Sequence, residues 1–309
     1  EEVQRAILAE IPAVASARMI RPGYAVEYDF VFPDQLALTL EALEVPGLFL
    51  AGQLNGTSGY EEAAAQGLMA GINAALSVRG EPPFVLERSE AYAAVLVDDL
   101  TKKGLDEPYR LFTSRAEYRL LLRQDTADLR LTPLAHDLGL VSGERLEAVE
   151  RRREAIAAEL DRLAGIRLTP SVELNARLVS AGLPETSQPV SALEYLRRPE
   201  VSYRQLQSLG SPWQPPEHQV TPEVAEQVEV ETKYEGYLRK QKSEVARVLR
   251  LELRRLPEGL DFGSIQGLRK EARERLARFQ PATLGQAARL AGVTPADVFA
   301  LMVAVERLR

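Results

Sequence analysis

The chain has 309 residues and no cysteine, with 38 Lys and Arg against 45 Asp and Glu and a net charge of −7. Disulfides, thiolate chemistry and cysteine-based zinc sites are therefore excluded, and two histidines far apart, His136 and His218, do not make a His-rich metal site. No window holds the roughly 18 apolar residues that a membrane span needs, and the acidic balance rules out a chain that is basic all over while leaving room for local basic faces.

Residues 1–8, EEVQRAIL, read as a helix already under way, with neither an initiating methionine nor a signal peptide, so the chain is expected to be part of a longer one. Between residues 18 and 32 apolar positions alternate (Tyr24, Val26, Tyr28, Phe30 and Phe32), which predicts a strand or hairpin. Residues 47–51, GLFLA, predict a short strand buried on both faces. Residues 60–78 predict a helix whose alanines and glycines allow close packing on a sheet. This is α/β texture without a full α/β domain around it.

Past Pro82 and Pro83 the pattern turns helical, with a helix expected over 87–103 that ends near Gly104 and a long charged one over 143–164. The prolines at 184, 189, 199, 212, 215, 216 and 222 predict short helices joined by rigid turns. Thr221 as N-cap with Pro222 at the first helical position opens a helix to about Leu253. Thr283 and Gln286 have capping-box spacing, Gly292 is a helix stop, and Thr294, Pro295 and Asp297 begin the last helix. The expected fold class is mixed: a remnant of an α/β domain over 1–85, then a mostly α-helical region divided into a middle segment, 86–215, and a C-terminal helical domain, 216–309.

The stretch 51–67, AGQLNGTSGYEEAAAQG, follows an apolar run and precedes a helix. Backbone N–H groups from Gly56 to Gly59, at a helix N-terminus, suit a partly negative ligand. Ser58 with Glu61 also has capping-box spacing, which needs no ligand and fits an ordinary βα turn equally well. Glu61 and Glu62 would repel a pyrophosphate. A flavin ring edge, which gains delocalised negative charge on reduction, is more compatible, and Gln53 can hydrogen-bond ring or ribityl atoms without adding charge.

In residues 110–130, Ser114 and Glu117 predict a helix start that puts Arg115, Arg119 and Arg123 on one stripe, flanked by Arg110 and Arg130, with Tyr118 as a stacking surface. This suits phosphate contacts and base stacking in RNA; a solvated face with ion pairs to Glu117, Asp125 and Asp128 is the plain alternative. In 233–240, KYEGYLRK, aromatics interleave with cations, and Lys233, Arg239 and Lys240 are the contact candidates. Val224, Val228, Tyr234 and Leu238 follow helical spacing, so the tyrosines also fit a core. Gly236 costs about 1 kcal/mol in a helix interior and predicts a close crossing by another helix or a ligand backbone. Residues 283–302 resemble a helix-turn-helix, but the second helix is apolar (Val298, Phe299, Leu301, Met302, Val305) where a recognition helix needs polar side chains.

The run LFLAGQLNGTSGYEEAAAQGLMAG resembles the C-terminal flavin-contact motif of the MnmG (GidA) family of tRNA uridine 5-carboxymethylaminomethyl modification enzymes. VLVDDL (95–100), EPYRLFTSRAEYRLLLRQDTADLRLT (107–132), LGLV (138–141), YLRRPE (195–200), EQVEVETKYEGYLRKQ (226–241) and TLGQAARLAGVTPADV (283–298) resemble the same family in the same order. The resemblance covers nearly the whole chain. It implies a cytoplasmic, homodimeric flavoprotein that uses FAD, NADH and a folate one-carbon donor, and that modifies the tRNA wobble uridine together with the GTPase MnmE. It assigns Gln53, Asn55, Gly56, Thr57, Ser58, Gly59, Tyr60, Glu61 and Glu62 to the flavin's ring end. It assigns the arginine segment and the 233–240 cations to tRNA, and the last helices to tRNA and MnmE contacts.

The family's pyrophosphate glycine motif, NADH-binding insertion and proposed nucleophilic cysteine are absent, all lying upstream of Glu1 in the family order. The chain alone is therefore expected to be inactive, to hold no catalytic residue and to bind FAD weakly or not at all. The folate- and FAD-dependent tRNA uridine methyltransferase has a similar flavin motif but lacks the long helical region of 143–309. A non-enzymatic helical nucleic-acid-binding or adaptor module is the other reading.

Overall fold

The computed structural model describes residues 1–103, 107–215, 220–252, 254–257, 259–281, 283–290 and 292–307, and the first fifty of them hold little regular structure. After helix α1 (Glu2–Ala9), residues 17–32 form no strand, contrary to the expectation from their alternation. A strand needs a neighbour to complete its hydrogen bonds; Val31 N–H donates to Leu54 O, but no ladder forms among the described residues. Tyr24 and Tyr28 are 85% and 63% exposed, so the alternating face is uncovered. Residues 47–51 likewise form no strand. They contribute one bridge, Phe49 to Glu41, because the chain turns at Leu40 and again at Gly47, both with positive φ.

Helix α2 (Tyr60–Arg79) and helix α3 (Tyr92–Lys103) organise this part. α3 starts later than expected because the Glu90 carboxylate accepts the Glu87 N–H in a preceding turn; its expected stop, Gly104, lies outside the described residues. α3 is buried on most sides, its Asp98 and Asp99 included. Val97 packs with Leu36, Leu40 and Met69, Val95 with Ala116 and Leu122, and Leu96 and Leu100 with Tyr109. Three small clusters meet on this helix.

The helix expected from Ser114 through Arg123 is absent. Residues 113–115 and 124–126 are single 3-10 turns, and regular helix resumes only at α4 (Ala127–Asp137). The capping-box spacing fails because Glu117 does not cap: its carboxylate is gripped by the Arg88 guanidinium, which also takes Arg115 O.

The middle of the chain is helical. α5 (Gly143–Gly165) is capped by Ser142, whose hydroxyl accepts from Arg145 N–H. β1 (Arg167–Leu168) pairs antiparallel with β2 (Val190–Ser191), and α6 (Val172–Ser180) lies between them. α7 (Ala192–Leu196) and α8 (Tyr203–Ser208) both begin with complete capping boxes. α9 (Pro222–Glu252) starts where Thr221 accepts from Val224 N–H. The largest core joins Leu163, Leu168, Leu178, Tyr195 and Leu206 to Val224 and Val228 of α9. His136 lies beside Asp137, half-exposed, and His218 is outside the described residues.

The terminal bundle comprises α10 (Lys270–Phe279), α11 (Leu284–Arg289) and α12 (Pro295–Arg307), packed through Leu276, Leu284, Ala287, Leu301 and Val305. Gly292 has a positive φ, 88°, but α11 ends earlier, at an extended Leu290 cap, so Gly292 is not the residue that stops it as expected. α12 buries Val298, Leu301 and Val305 in the core and exposes Phe299. The mixed first part and helical remainder match the expected fold class.

Asp297 is fully buried in the bundle. It accepts from Thr294 N–H and Oγ1 and from the Arg269 backbone and guanidinium. Burial alone would raise its pKa; the Arg269 and Thr294 donors outweigh that and hold it well below the usual carboxylate range. Its stabilisation is complete above the unfolded pKa of about 4 and fades as pH falls toward the lower folded value. Asp297→Asn should cost about 2–3 kcal/mol at pH 7, the scale of charge-assisted hydrogen bonds. Urea unfolding should show the gap to wild type narrowing below about pH 4.

Candidate cofactor turn and nucleic-acid interface

Residues 52–62 are held from inside by Gln66 of α2. Its Oε1 accepts from Gly52 N–H at 3.2 Å and Asn55 Nδ2 at 2.8 Å; its Nε2 donates to Thr57 Oγ1 at 3.0 Å and Glu62 O at 3.1 Å. Thr57 Oγ1 in turn donates to Gly52 O. Asn55, Thr57 and Gln66 are buried, so two of the sequence candidates act as the frame of the turn. Gln53, Ser58, Tyr60 and Glu61 form its exposed rim, Tyr60 at 94% exposure, and Gly56 is half-buried with positive φ. Gln66 was missed in the sequence; its place seven residues after Gly59, within an alanine-rich helix, was its only signal.

Ser58 does not cap α2. The N-cap is Gly59, with no side-chain cap bond. Glu62 reaches back instead: a Cβ on Gly59 would lie 1.6 Å from Glu62 Oε2. The same carboxylate accepts from Leu111 N–H at 3.0 Å and lies 3.4 Å from Arg110 Nε. Burial acts to raise its pKa, but hydrogen bonds from Leu111 N–H and its own backbone, with Arg110 alongside, hold it below the ordinary range. Glu62 is thus a buried anion held by the chain's own donors.

Backbone pairing joins this turn to the arginine loop. Tyr109 N–H donates to Gly56 O at 2.8 Å, Ser58 N–H to Tyr109 O at 3.4 Å, and Thr57 pairs with Tyr109 in a parallel bridge. Beyond the bridge, Arg110, Arg115 and Arg119 are exposed, and Arg115 lies over the Tyr109 ring at 5.7 Å. Arg123 and Arg130 turn inward: Arg123 binds Asp125 and Leu120 O, and Arg130 binds the carbonyls of Glu90 and Arg123. Burial, with Arg123 nearby, lowers the Arg130 pKa. The five arginines are therefore not one helix stripe. Three form an outward group and two brace the loop behind it.

Behind the loop, Arg88 is 15% exposed and was also missed in the sequence. It bonds Asp98 and Asp99 of α3, both Glu117 oxygens and Arg115 O. Tyr109 donates its hydroxyl to Asp99 at 2.9 Å; burial, and then Asp99, push its phenol pKa up.

On α9, Arg239 and Lys240 are exposed, while Lys233 is half-buried and pairs with Glu229 at 2.8 Å. Tyr234 and Tyr237 are 42% and 65% exposed, outside the core. Nothing lies within 4 Å of a Cβ built on Gly236, so no other helix of the described residues crosses closely there. Among the described residues no acidic or histidine cluster could hold a metal ion, and no helix is long and apolar enough to cross a membrane.

Fold and surface together define a helical protein whose mixed head carries an open glycine turn stitched to a basic loop. A family model described as Glucose inhibited division protein A matches residues 1–82. The MnmG/GidA C-terminal helical domain matches 143–242, and the MnmG/GidA C-terminal helical bundle matches 244–309. Proteins named tRNA uridine 5-carboxymethylaminomethyl modification enzyme MnmG are similar: that of Roseiflexus sp. (strain RS-1) is 56% identical over 99% of this chain and 44% of its own length, and that of Listeria monocytogenes serotype 4b 50% identical over 99% and 48%. A crystal structure of Aquifex aeolicus GidA superposes with a TM-score of 0.75 at 41% identity, over 99% of this chain and 48% of that one. The chain belongs to the MnmG/GidA family, and spans a little under half the length of the curated relatives it matches.

Gly59→Ala should expel the Glu62 carboxylate from its place against the helix start and cost about 1–3 kcal/mol, as overpacking does. Amide exchange at Leu111, whose N–H that carboxylate accepts, should accelerate with it.

Proposed function

We propose that this chain supplies the flavin ring-end contact and the tRNA-facing surface of an enzyme that forms 5-carboxymethylaminomethyluridine at the wobble position. The observation that carries the reading is the stitching of the 52–62 turn to the arginine loop by Tyr109. A surface suited to a cofactor edge and one suited to RNA phosphates then lie side by side, as a reaction between a bound cofactor and a tRNA base requires.

The residues fit a flavin ring better than its phosphates. The first turn of α2 has no N-cap side chain, and the Glu62 carboxylate, seated against Gly59 and bonded to its own N–H, already puts a charge there; with Glu61 it disfavours a pyrophosphate. When bound, FAD would supply reducing equivalents. The chain's own part is to orient the ring through Gln53 and the turn, and to stabilise negative charge at the ring edge by roughly 0.3–1 kcal/mol through the α2 dipole. Arg110, Arg115 and Arg119, with Arg239 and Lys240 on α9, would hold phosphates. Lys233, Arg123 and Arg130 are assigned to bracing, because each is turned inward on its partner, whereas Arg110 beside Glu62 and Arg239 paired with Glu235 keep exposed guanidiniums.

NADH, a folate one-carbon donor, the GTPase MnmE, a homodimeric assembly and a cytoplasmic setting complete the reading on family likeness. In it the chain alone is inactive. The methyltransferase alternative is disfavoured by the two C-terminal helical family models, and a DNA-reading module by the burial of Leu301 and Val305.

Replacing Arg110, Arg115 and Arg119 together by Ala should weaken tRNA binding and lower the log–log salt slope by about 2–3, one counterion per lost phosphate contact. Unchanged affinity and slope would remove the loop from the interface. In the full-length protein Gln53→Ala should lower FAD occupancy, read from the visible absorbance; full retention would remove Gln53 from the site.

A further inference from the structure

We infer that Arg88 is a positioning residue: it sets the placement of the arginine loop and, through Asp99 and Tyr109, ties it to the glycine turn, so that RNA contact and cofactor contact move as one unit. This rests on the proposed tRNA reading.

The guanidinium works in two directions. Nε and Nη2 grip the Glu117 carboxylate as a fork, both at 2.8 Å, and Nη2 also donates to Arg115 O at 3.1 Å. Nη1 faces α3, donating to Asp99 at 2.7 Å and Asp98 at 3.1 Å. These bonds span the middle of a buried helix and a loop with little regular structure of its own. The loop therefore takes its shape from side chains rather than from a ladder, Arg88 holding 115–117 as Arg123 and Arg130 hold the segment that follows. From Asp99 the path continues to the Tyr109 hydroxyl, and the Tyr109 backbone is bonded to Gly56 and Ser58. With only 15% of its side chain exposed, Arg88 is poorly placed to reach a phosphate itself. Arg115, whose carbonyl it holds, is the residue through which it acts. A lysine keeps the charge but cannot reproduce the planar fork, so Arg88→Lys isolates geometry from charge.

Two measurements on this chain test the inference. In a double-mutant cycle, Arg88→Lys should weaken tRNA binding about tenfold with an unchanged salt slope, and most of that loss should vanish when Arg115 and Arg119 are already Ala, as expected of coupled neighbours. Lys240→Ala, remote on α9, should leave the effect of Arg88→Lys intact. An equal loss in every background, or none, overturns the inference.

Hydrogen exchange gives a readout independent of RNA: Arg88→Lys should accelerate exchange in 56–62 and 109–117 together while α5 stays protected. If Arg88→Lys does not fold, Tyr109→Phe takes its place; it cuts the Asp99 link and should accelerate exchange in 56–62. Unchanged exchange overturns the inference in either variant. If the Arg115 and Arg119 variant alone binds tRNA normally, the tRNA reading fails, and exchange still decides whether Arg88 couples the two segments.

Discussion

The head of this molecule depends on a short parallel contact between Thr57 and Tyr109. Parallel pairing between distant segments closes a long loop, and that entropy must be offset by something other than the pairing itself. Here it is offset on both sides. Gln66 fixes the turn that carries Thr57, and α3 fixes the Tyr109 side by burying its ring and accepting its hydroxyl. Two polar frames, each built on a helix, hold one strip of backbone between them.

The same construction explains which polar groups face outward. Glu62, Thr57, Asn55, Arg123 and Arg130 look like site residues by composition, yet each has inward partners that the local backbone requires. Most buried polar groups are satisfied, so a turn with little regular hydrogen bonding must recruit side chains. What remains exposed (Gln53, Ser58, Tyr60, Glu61, Arg110, Arg115 and Arg119) is the surface left over when the frame is complete.

Helices with strong punctuation were legible in the sequence. Thr221, Thr283 and Thr294 start helices where spacing put them, because a cap is a local interaction over three residues. Ser58 and Ser114 had the same spacing and failed. In both, a distant residue decided the outcome: Leu111 draws Glu62 back across Gly59, and Arg88 takes Glu117. The alternation at 24–32 failed for a related reason, since a strand is a property of two segments and its sequence records one. In the candidate site the residue types were legible, but their direction was not, because inward and outward arginines differ only in what lies behind them.

The long helix α9 has a consequence for the shape of the whole. Its first turns are rooted in the middle core through Val224 and Val228, and its far end packs on α11 of the terminal bundle. Between them Tyr234, Gly236, Tyr237, Arg239 and Lys240 stand clear of the body. Such a helix acts as a ruler. Its 31 residues span about 46 Å at 1.5 Å per residue. Removing seven residues would draw the bundle in by about 10 Å while turning it by only about 20°. The reach of the terminal bundle is thus encoded by helix length, separately from the direction it faces.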